Sequence, residues 1–187
     1  FYNVDEPPFR VYGVFKENGK YRRMPENIAR GVSEGVYVLH SNTAGGRVRF
    51  VTDSPYIAIY AKMDGLGKMP HFALTGSIGF DLYVDNYYTN TFVPPFDIKD
   101  GYESIFEFEK KEQREITIDF PLYSNVNELY IGLQEDSFLA EAKPYKNVKP
   151  IVYYGSSITQ GGCASRPGMS YQAIISRIFN YDYINLG

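Results

Sequence analysis

The sequence predicts a mainly β fold: an antiparallel, jelly-roll-like β-sandwich over residues 1–149, then the β-α-β opening of an α/β domain over residues 150–187. Three observations carry this reading. Strand-length runs that alternate apolar and polar residues recur from the N-terminus, with Gly, Pro, Asn and Asp between them. Tyrosine is abundant, with 18 in 187 residues, and its ring suits half-buried strands. Near Pro150 the pattern changes to a continuous apolar run, a stretch of helical spacing and a second short apolar run.

Each element has its own warrant. Met24 to Arg30 can hold one short turn of helix, and helical periodicity is otherwise almost absent before Pro150. Arg47–Val51 and Ile57–Ala61 alternate, as do Phe80–Asp85 and Tyr87–Val93. Ile116–Phe120 and Leu129–Leu133 complete the stronger strands. Turn signals between such runs favour an antiparallel sandwich or barrel. Lys143 to Pro150 carries two prolines and three lysines and reads as a connector. Ile151–Tyr154 is apolar and partly β-branched, as in a buried parallel strand. Ser170 is placed to cap a helix whose Tyr171, Ile174, Ile175 and Ile178 share one face. Tyr183–Leu186 reads as the second strand, so the unit is β-α-β with a parallel sheet. One helix cannot cover both faces of such a sheet. The α/β part therefore reads as truncated: either mobile, or covered by the β-region or by self-association with a second copy.

Composition narrows the function classes. The net charge is −3 and no Lys/Arg stripe is present, which argues against nucleic acid as a partner. No apolar run approaches the roughly 20 residues of a membrane span. The chain opens on Phe1 without a visible signal peptide, as expected of a mature or trimmed chain. Cys163 is the only cysteine, so no internal disulfide forms. Two histidines, one cysteine and scattered acids give no metal-ligand pattern, and nothing calls for a cofactor.

The chemistry concentrates in Gly155-Ser156-Ser157-Ile158-Thr159-Gln160-Gly161-Gly162, directly after the Ile151–Tyr154 strand. A serine hydroxyl becomes a useful nucleophile only with a base to take its proton and donors for the oxyanion. A tight strand-to-helix turn exposes the side chain and aims backbone N–H groups at the reacting carbonyl. The loop is not G-x-S-x-G, because Thr159 occupies the second glycine position. It is not a P-loop, because no Lys-Ser or Lys-Thr pair follows the glycines.

The loop resembles the first block of the SGNH (GDSL-like) hydrolases, G-D-S-x-T-x-G. Gly155, Ser157, Thr159 and Gly161 match, and Ser156 stands where the family has aspartate. Asn185-Leu186-Gly187 is similar to the opening of the family's second block. Gly79-Phe80-Asp81-Leu82-Tyr83 resembles the G-x-D-L-Y signature of a β-domain that precedes some bacterial SGNH-type esterases. The resemblance implies a flavodoxin-like catalytic domain with Ser157 as the catalytic nucleophile and its own backbone N–H as one oxyanion-hole donor. It places the remaining oxyanion donors and the Asp-x-x-His pair beyond residue 187, so this chain alone is expected to be inactive. It also implies a small-molecule or carbohydrate ester substrate, acetylated sugars among them, no cofactor, and a periplasmic or secreted location. The competing reading is a non-catalytic carbohydrate-binding or scaffold β-module.

Other polar residues read more simply. Ser156 supports the turn through backbone bonds, and Thr159 braces the loop. Asp81 on an alternating strand reads as outward-facing or satisfied within a turn. His40 and His71 lack a neighbouring acidic partner and read as surface or strand-end residues. Cys163 has no histidine placed to activate it.

Overall fold

The computed structural model describes residues 1–187 and shows two antiparallel sheets packed face to face, with a β-α-β segment lying across one of them. Short strands β1 (Tyr2–Asn3), β2 (Arg10–Tyr12), β3 (Phe15–Glu17) and β4 (Lys20–Arg22) lead into helices α1 (Glu26–Val32) and α2 (Glu34–Leu39). Strands β5 (Arg47–Thr52) and β6 (Tyr56–Asp64) precede the short helix α3 (Leu74–Ser77). There follow β7 (Phe80–Val84), β8 (Tyr87–Phe92), β9 (Gly101–Glu107), β10 (Arg114–Asp119), β11 (Asn125–Gly132) and β12 (Leu139–Ala140). The smaller sheet has the order β1-β11-β6-β9 and the larger β12-β5-β10-β7-β8, with β2 also paired to β5.

Alternation explains the sandwich. In β6, Ile57, Ile59, Ala61 and Met63 are buried while the residues between them reach the surface. Val48 and Phe50 of β5, Ile116 and Ile118 of β10, and Phe80 and Leu82 of β7 belong to the same core. Cross-strand pairing sets Val48 beside Ile118 and Ile118 beside Leu82. Each such side chain contributes about 1.5–3 kcal/mol by leaving water. Asp85 and Asn86, both at positive φ, make the tight turn between β7 and β8 that the right-handed strand twist favours.

The helical content before Pro150 exceeds what periodicity predicts. The turn expected over Met24–Arg30 is α1, and a second helix follows it immediately. Gly35-Val36-Tyr37-Val38-Leu39 is rich in β-formers, yet Ser33 caps its start by accepting a hydrogen bond from the Val36 N–H at 3.2 Å. Capping outweighs the weak propensity of these residues.

The C-terminal segment holds β13 (Ile151–Tyr154), α4 (Ser157–Gln160), a 3₁₀ turn (Pro167–Met169), α5 (Tyr171–Phe179) and β14 (Tyr183–Leu186). β13 and β14 pair in parallel, as the spacing predicts. Two expectations fail. β13 is not buried: Val152 is 55% and Tyr154 82% exposed. The inward side of α5 carries Gln172, Ala173 and Ser176, whereas Ile178 is 68% exposed. The two buried polar side chains find main-chain partners: Gln172 Nε2 donates to the Thr159 carbonyl and Ser176 to the Tyr181 carbonyl, each at 2.6 Å, while Gln172 Oε1 has none. The segment does lie against the β-region, but through its turns and β14 rather than through its isoleucine stripe.

Candidate active site

The outer face of the larger sheet carries polar residues, and they are buried. Thr91, Asp81, Asp119 and Arg47 stand in register across β8, β7, β10 and β5. Asp81 is 0% and Arg47 1% exposed. The C-terminal segment covers this ladder and answers it group by group. Asp81 accepts from Thr91 Oγ1 at 2.7 Å and from the Gly168 backbone N–H at 2.8 Å. Arg166 lies 3.5 Å from Asp81, and Arg177 lies 3.6 Å from Asp119. Arg47 pairs with Asp182 and donates to the Tyr145 hydroxyl at 2.8 Å, with the Tyr183 ring 4.2 Å from its guanidinium. Asp81 does face away from the core, as alternation predicts, but the C-terminal segment buries it there, so it is not the solvent-facing residue that reading implies. Burial, reinforced by nearby Asp119, pushes its carboxyl up to about 7 against the pull of Thr91, Gly168 and Arg166.

This gives the pentapeptide Gly79–Tyr83 a physical meaning. Phe80 and Leu82 point into the sandwich core. Asp81 and Tyr83, on the opposite face, receive the 3₁₀ turn. A Cβ on Gly168 would meet the Tyr83 hydroxyl at 2.2 Å, so only glycine lets that turn approach. Arg177 stacks over the Tyr83 ring at 4.0 Å.

So anchored, the segment presents Ser157. β13 ends at Tyr154, and Ser157 is the first residue of α4, exposed on its outer side. Ser156 occupies the N-cap and accepts from the Ile158 N–H at 3.4 Å, the supporting role expected of it. A Cβ at Gly155 would meet Thr159 Oγ1 at 2.2 Å, so the loop's first glycine is required for closure. Gly161 ends the helix at φ 101°, and the Gly162 N–H donates to the Ser157 carbonyl at 2.7 Å. Thr159 accepts at Oγ1 from the Tyr171 hydroxyl at 3.2 Å. Its carbonyl takes the Asn185 amide at 2.9 Å, so the start of the second block braces the serine loop.

The β-region also reaches this loop. Buried Arg23 donates to the carbonyls of Leu39 at 2.7 Å and Gly187 at 2.8 Å, and to Gln160 Oε1 at 3.2 Å. Burial lowers its pKa to about 10, so it remains cationic at neutral pH. Gln160 in turn donates to Asn42 and to the Leu122 carbonyl. A cavity of about 270 Å³ opens beside Ser156 and Ser157, bounded by α1, α2 and the end of β14.

His40 lines this cavity, which corrects its reading as a surface or strand-end residue. It is a buried C-cap of α2, with Nδ1 against the Tyr37 carbonyl and its ring stacked on Tyr37. No sequence pattern signalled it, because its place depends on α2. His71 is exposed and lies outside the cavity. Cys163 is exposed at positive φ just past the loop. No group of three or more His, Cys, Asp or Glu side chains comes together to hold a metal, and no helix is long and apolar enough to cross a membrane.

Comparison with known proteins agrees with this geometry. Residues 1–139 match the family described as the GxDLY N-terminus of SGNH-hydrolase-type esterases, and residues 148–187 match the GDSL-like lipase/acylhydrolase family. The fold superposes on a protein from Bacteroides ovatus assigned as a GDSL-like lipase, with TM-score 0.87 and 30% identity over 99% of this chain. This chain spans 55% of that protein. The salicylyl-acyltransferase SsfX3 of a tetracycline biosynthetic pathway shares the fold at TM-score 0.70 and 21% identity, over 96% of this chain and 51% of its own. A family two carbohydrate esterase from Cellvibrio japonicus shares it at TM-score 0.60 and 11% identity, over 97% of this chain and 50% of its own. No functionally curated protein matches the sequence. With most of its length inside the GxDLY family and its serine block inside the GDSL-like family, the chain belongs to the SGNH-type esterases that carry a GxDLY N-terminal domain.

Proposed function

We propose that Ser157 is the nucleophile of a serine ester hydrolase whose substrates are carbohydrate-type esters. Residues 1–149 are its N-terminal β-domain and residues 150–187 the start of its hydrolase domain. The supporting observation is the placement of Ser157: exposed, first in α4, at the end of a parallel strand, beside a cavity. Attack by Ser157 Oγ on the ester carbonyl carbon forms an acyl-enzyme and releases the alcohol, which takes the proton passed on by a general base. Water then cleaves the acyl-enzyme and restores the hydroxyl. The Ser157 N–H, at the open first turn of α4, donates to the oxyanion. The base and the remaining donors come from residues after 187. No metal or organic cofactor takes part in this chemistry. The carbohydrate assignment follows the carbohydrate esterases that share the fold, and a periplasmic or secreted location suits polymeric sugar esters.

The test is hydrolysis of p-nitrophenyl acetate by a protein that carries this chain together with a complete hydrolase domain. Ser157→Ala should lower turnover by about 10⁴-fold or more, and Ser156→Ala should keep measurable activity. Undiminished turnover in Ser157→Ala sinks the assignment.

A further inference from the structure

The cavity beside Ser157 has two unlike sides. One is the serine loop, Tyr154 to Ser157. The other is the α1–α2 hairpin of the β-domain, which contributes Val32, Val36 and Leu39, with Met24 just before α1. Val32 is 56% exposed, so apolar surface stands open to water within reach of the loop. The hairpin is not a loose appendage there. Arg23 ties the Leu39 carbonyl on α2 to the Gly187 carbonyl at the end of β14 and to Gln160 of α4. Ser33 fixes the start of α2. The apolar wall and the serine loop are thus held at a set separation by one buried cation.

Size and lining decide what fits. A cavity of roughly 150 Å³ holds a benzene ring. The space here is about 270 Å³, far more than the methyl of an acetyl group fills. Ligand pockets gain affinity from apolar lining and orientation from a few polar groups. We infer that the α1–α2 hairpin is the apolar wall of the substrate pocket, and that it selects esters bearing a phenyl-sized or medium alkyl group over those with acetyl and small alcohols only. The inference rests on Ser157 as nucleophile. It makes the β-domain a specificity-determining part of the enzyme.

The binding side of this claim is testable with the chain itself. Benzyl alcohol is titrated while the methyl signals of Val32, Val36 and Leu39 are followed by NMR. Saturable shifts at these methyls are expected, absent in Val32→Asp and unchanged in Ser157→Ala. Val32 is exposed, so the aspartate variant should melt as the parent does. Methyls that do not respond, or that respond equally in Val32→Asp, overturn the inference.

The catalytic side uses the chain with a complete hydrolase domain. The kcat/KM for p-nitrophenyl butyrate should exceed that for the acetate by about tenfold or more if the group sits on the acyl side. Benzyl acetate should exceed ethyl acetate similarly if it sits on the alcohol side. Val32→Asp should erase the gain in whichever series shows it, lowering kcat/KM for the larger ester of the pair more than for the smaller one. No gain in either series, or an equal loss on every ester, overturns the inference. Benzyl alcohol binding with full hydrolysis by Ser157→Ala would retire the nucleophile assignment and leave the pocket standing.

Discussion

Asp81 accepts the backbone N–H of Gly168 at 2.8 Å, joining the β7 strand to the segment that carries Ser157. Both partners are buried, and Gly168 sits against Tyr83 where no side chain fits. The contact links the Gly79–Tyr83 signature directly to the placement of the serine loop.

Breaking that contact should release the segment. Gly168→Ala drives a methyl into the Tyr83 ring, and Asp81→Ala leaves the Gly168 N–H unpaired and Thr91 with the Tyr88 hydroxyl alone. Each should destabilise the chain by roughly 1–3 kcal/mol. Hydrogen exchange should show amides of α5 and the 3₁₀ turn exchanging faster while those of β6 and β10 stay protected. Equal acceleration in both regions would mean that docking and sandwich unfold as one unit.

Stability should fall as pH rises from about 4 to about 7. Asp81 in the folded chain titrates at about 7, above the ordinary carboxylate value near 4. A raised folded pKa means the folded state holds the proton more tightly. Its contribution is complete below about pH 4 and is lost as pH passes through about 7. Asp119 is shifted in the same direction by burial, opposed by Arg177 and Arg47. Carboxylates lowered by their partners, such as Asp64, act in the opposite sense but at more acidic pH. Melts of the parent and of Asp81→Asn should separate the effects, with the asparagine variant showing the shallower decline.

A chain ending at Lys149 should fold as a soluble antiparallel sandwich. Its core lies between the two sheets and owes nothing to residues 150–187. Truncation uncovers the Arg47, Asp81 and Asp119 face, which water can solvate. Circular dichroism should show a β-type spectrum and a cooperative melt. A largely helical spectrum or a non-cooperative melt would contradict this.

His40→Ala and His71→Ala, in a protein with a complete hydrolase domain, should leave turnover of p-nitrophenyl acetate within several-fold of the parent. His71 lies away from the cavity. His40 lines it, with Nδ1 on the Tyr37 carbonyl and Nε2 unpartnered, but no carboxylate orients the ring. A loss comparable to that of Ser157→Ala would make the β-domain the source of the base.

Much of the fold was legible because alternation and turn residues act locally. The strands Arg47–Val51 and Phe80–Asp85, the parallel β13–β14 pair and the supporting role of Ser156 all followed from short-range rules. What covers a face is not a short-range property. Alternation assigns Arg47, Asp81 and Asp119 to the side away from the core, and that is where they are. It cannot say that a second layer of chain buries that side. The available signal was charge: opposite signs on neighbouring strands of one outer face, with no solvating reason to be matched. The α5 face was misassigned for a related reason. Isoleucines mark an apolar stripe, but hydrogen-bonded amide and hydroxyl groups can be buried instead. Helix α2 was hidden by its β-forming residues, and with it went the cavity and the place of His40.

Several of the contacts that hold the serine segment are made to its main chain. Asp81 takes an N–H of Gly168, Arg23 reaches the carbonyls of Asn185 and Gly187, Arg47 that of Tyr183, and Thr75 that of Ser165. A carbonyl is the same whichever side chain it carries. Across generations, Ser165 can therefore drift in identity with little effect on its bond to Thr75, whereas Asp81, Arg23 and Arg47 cannot. The main-chain part of the joint is thus specified from the sandwich side, while Arg166, Gly168, Arg177 and Asp182 specify the rest from the serine segment.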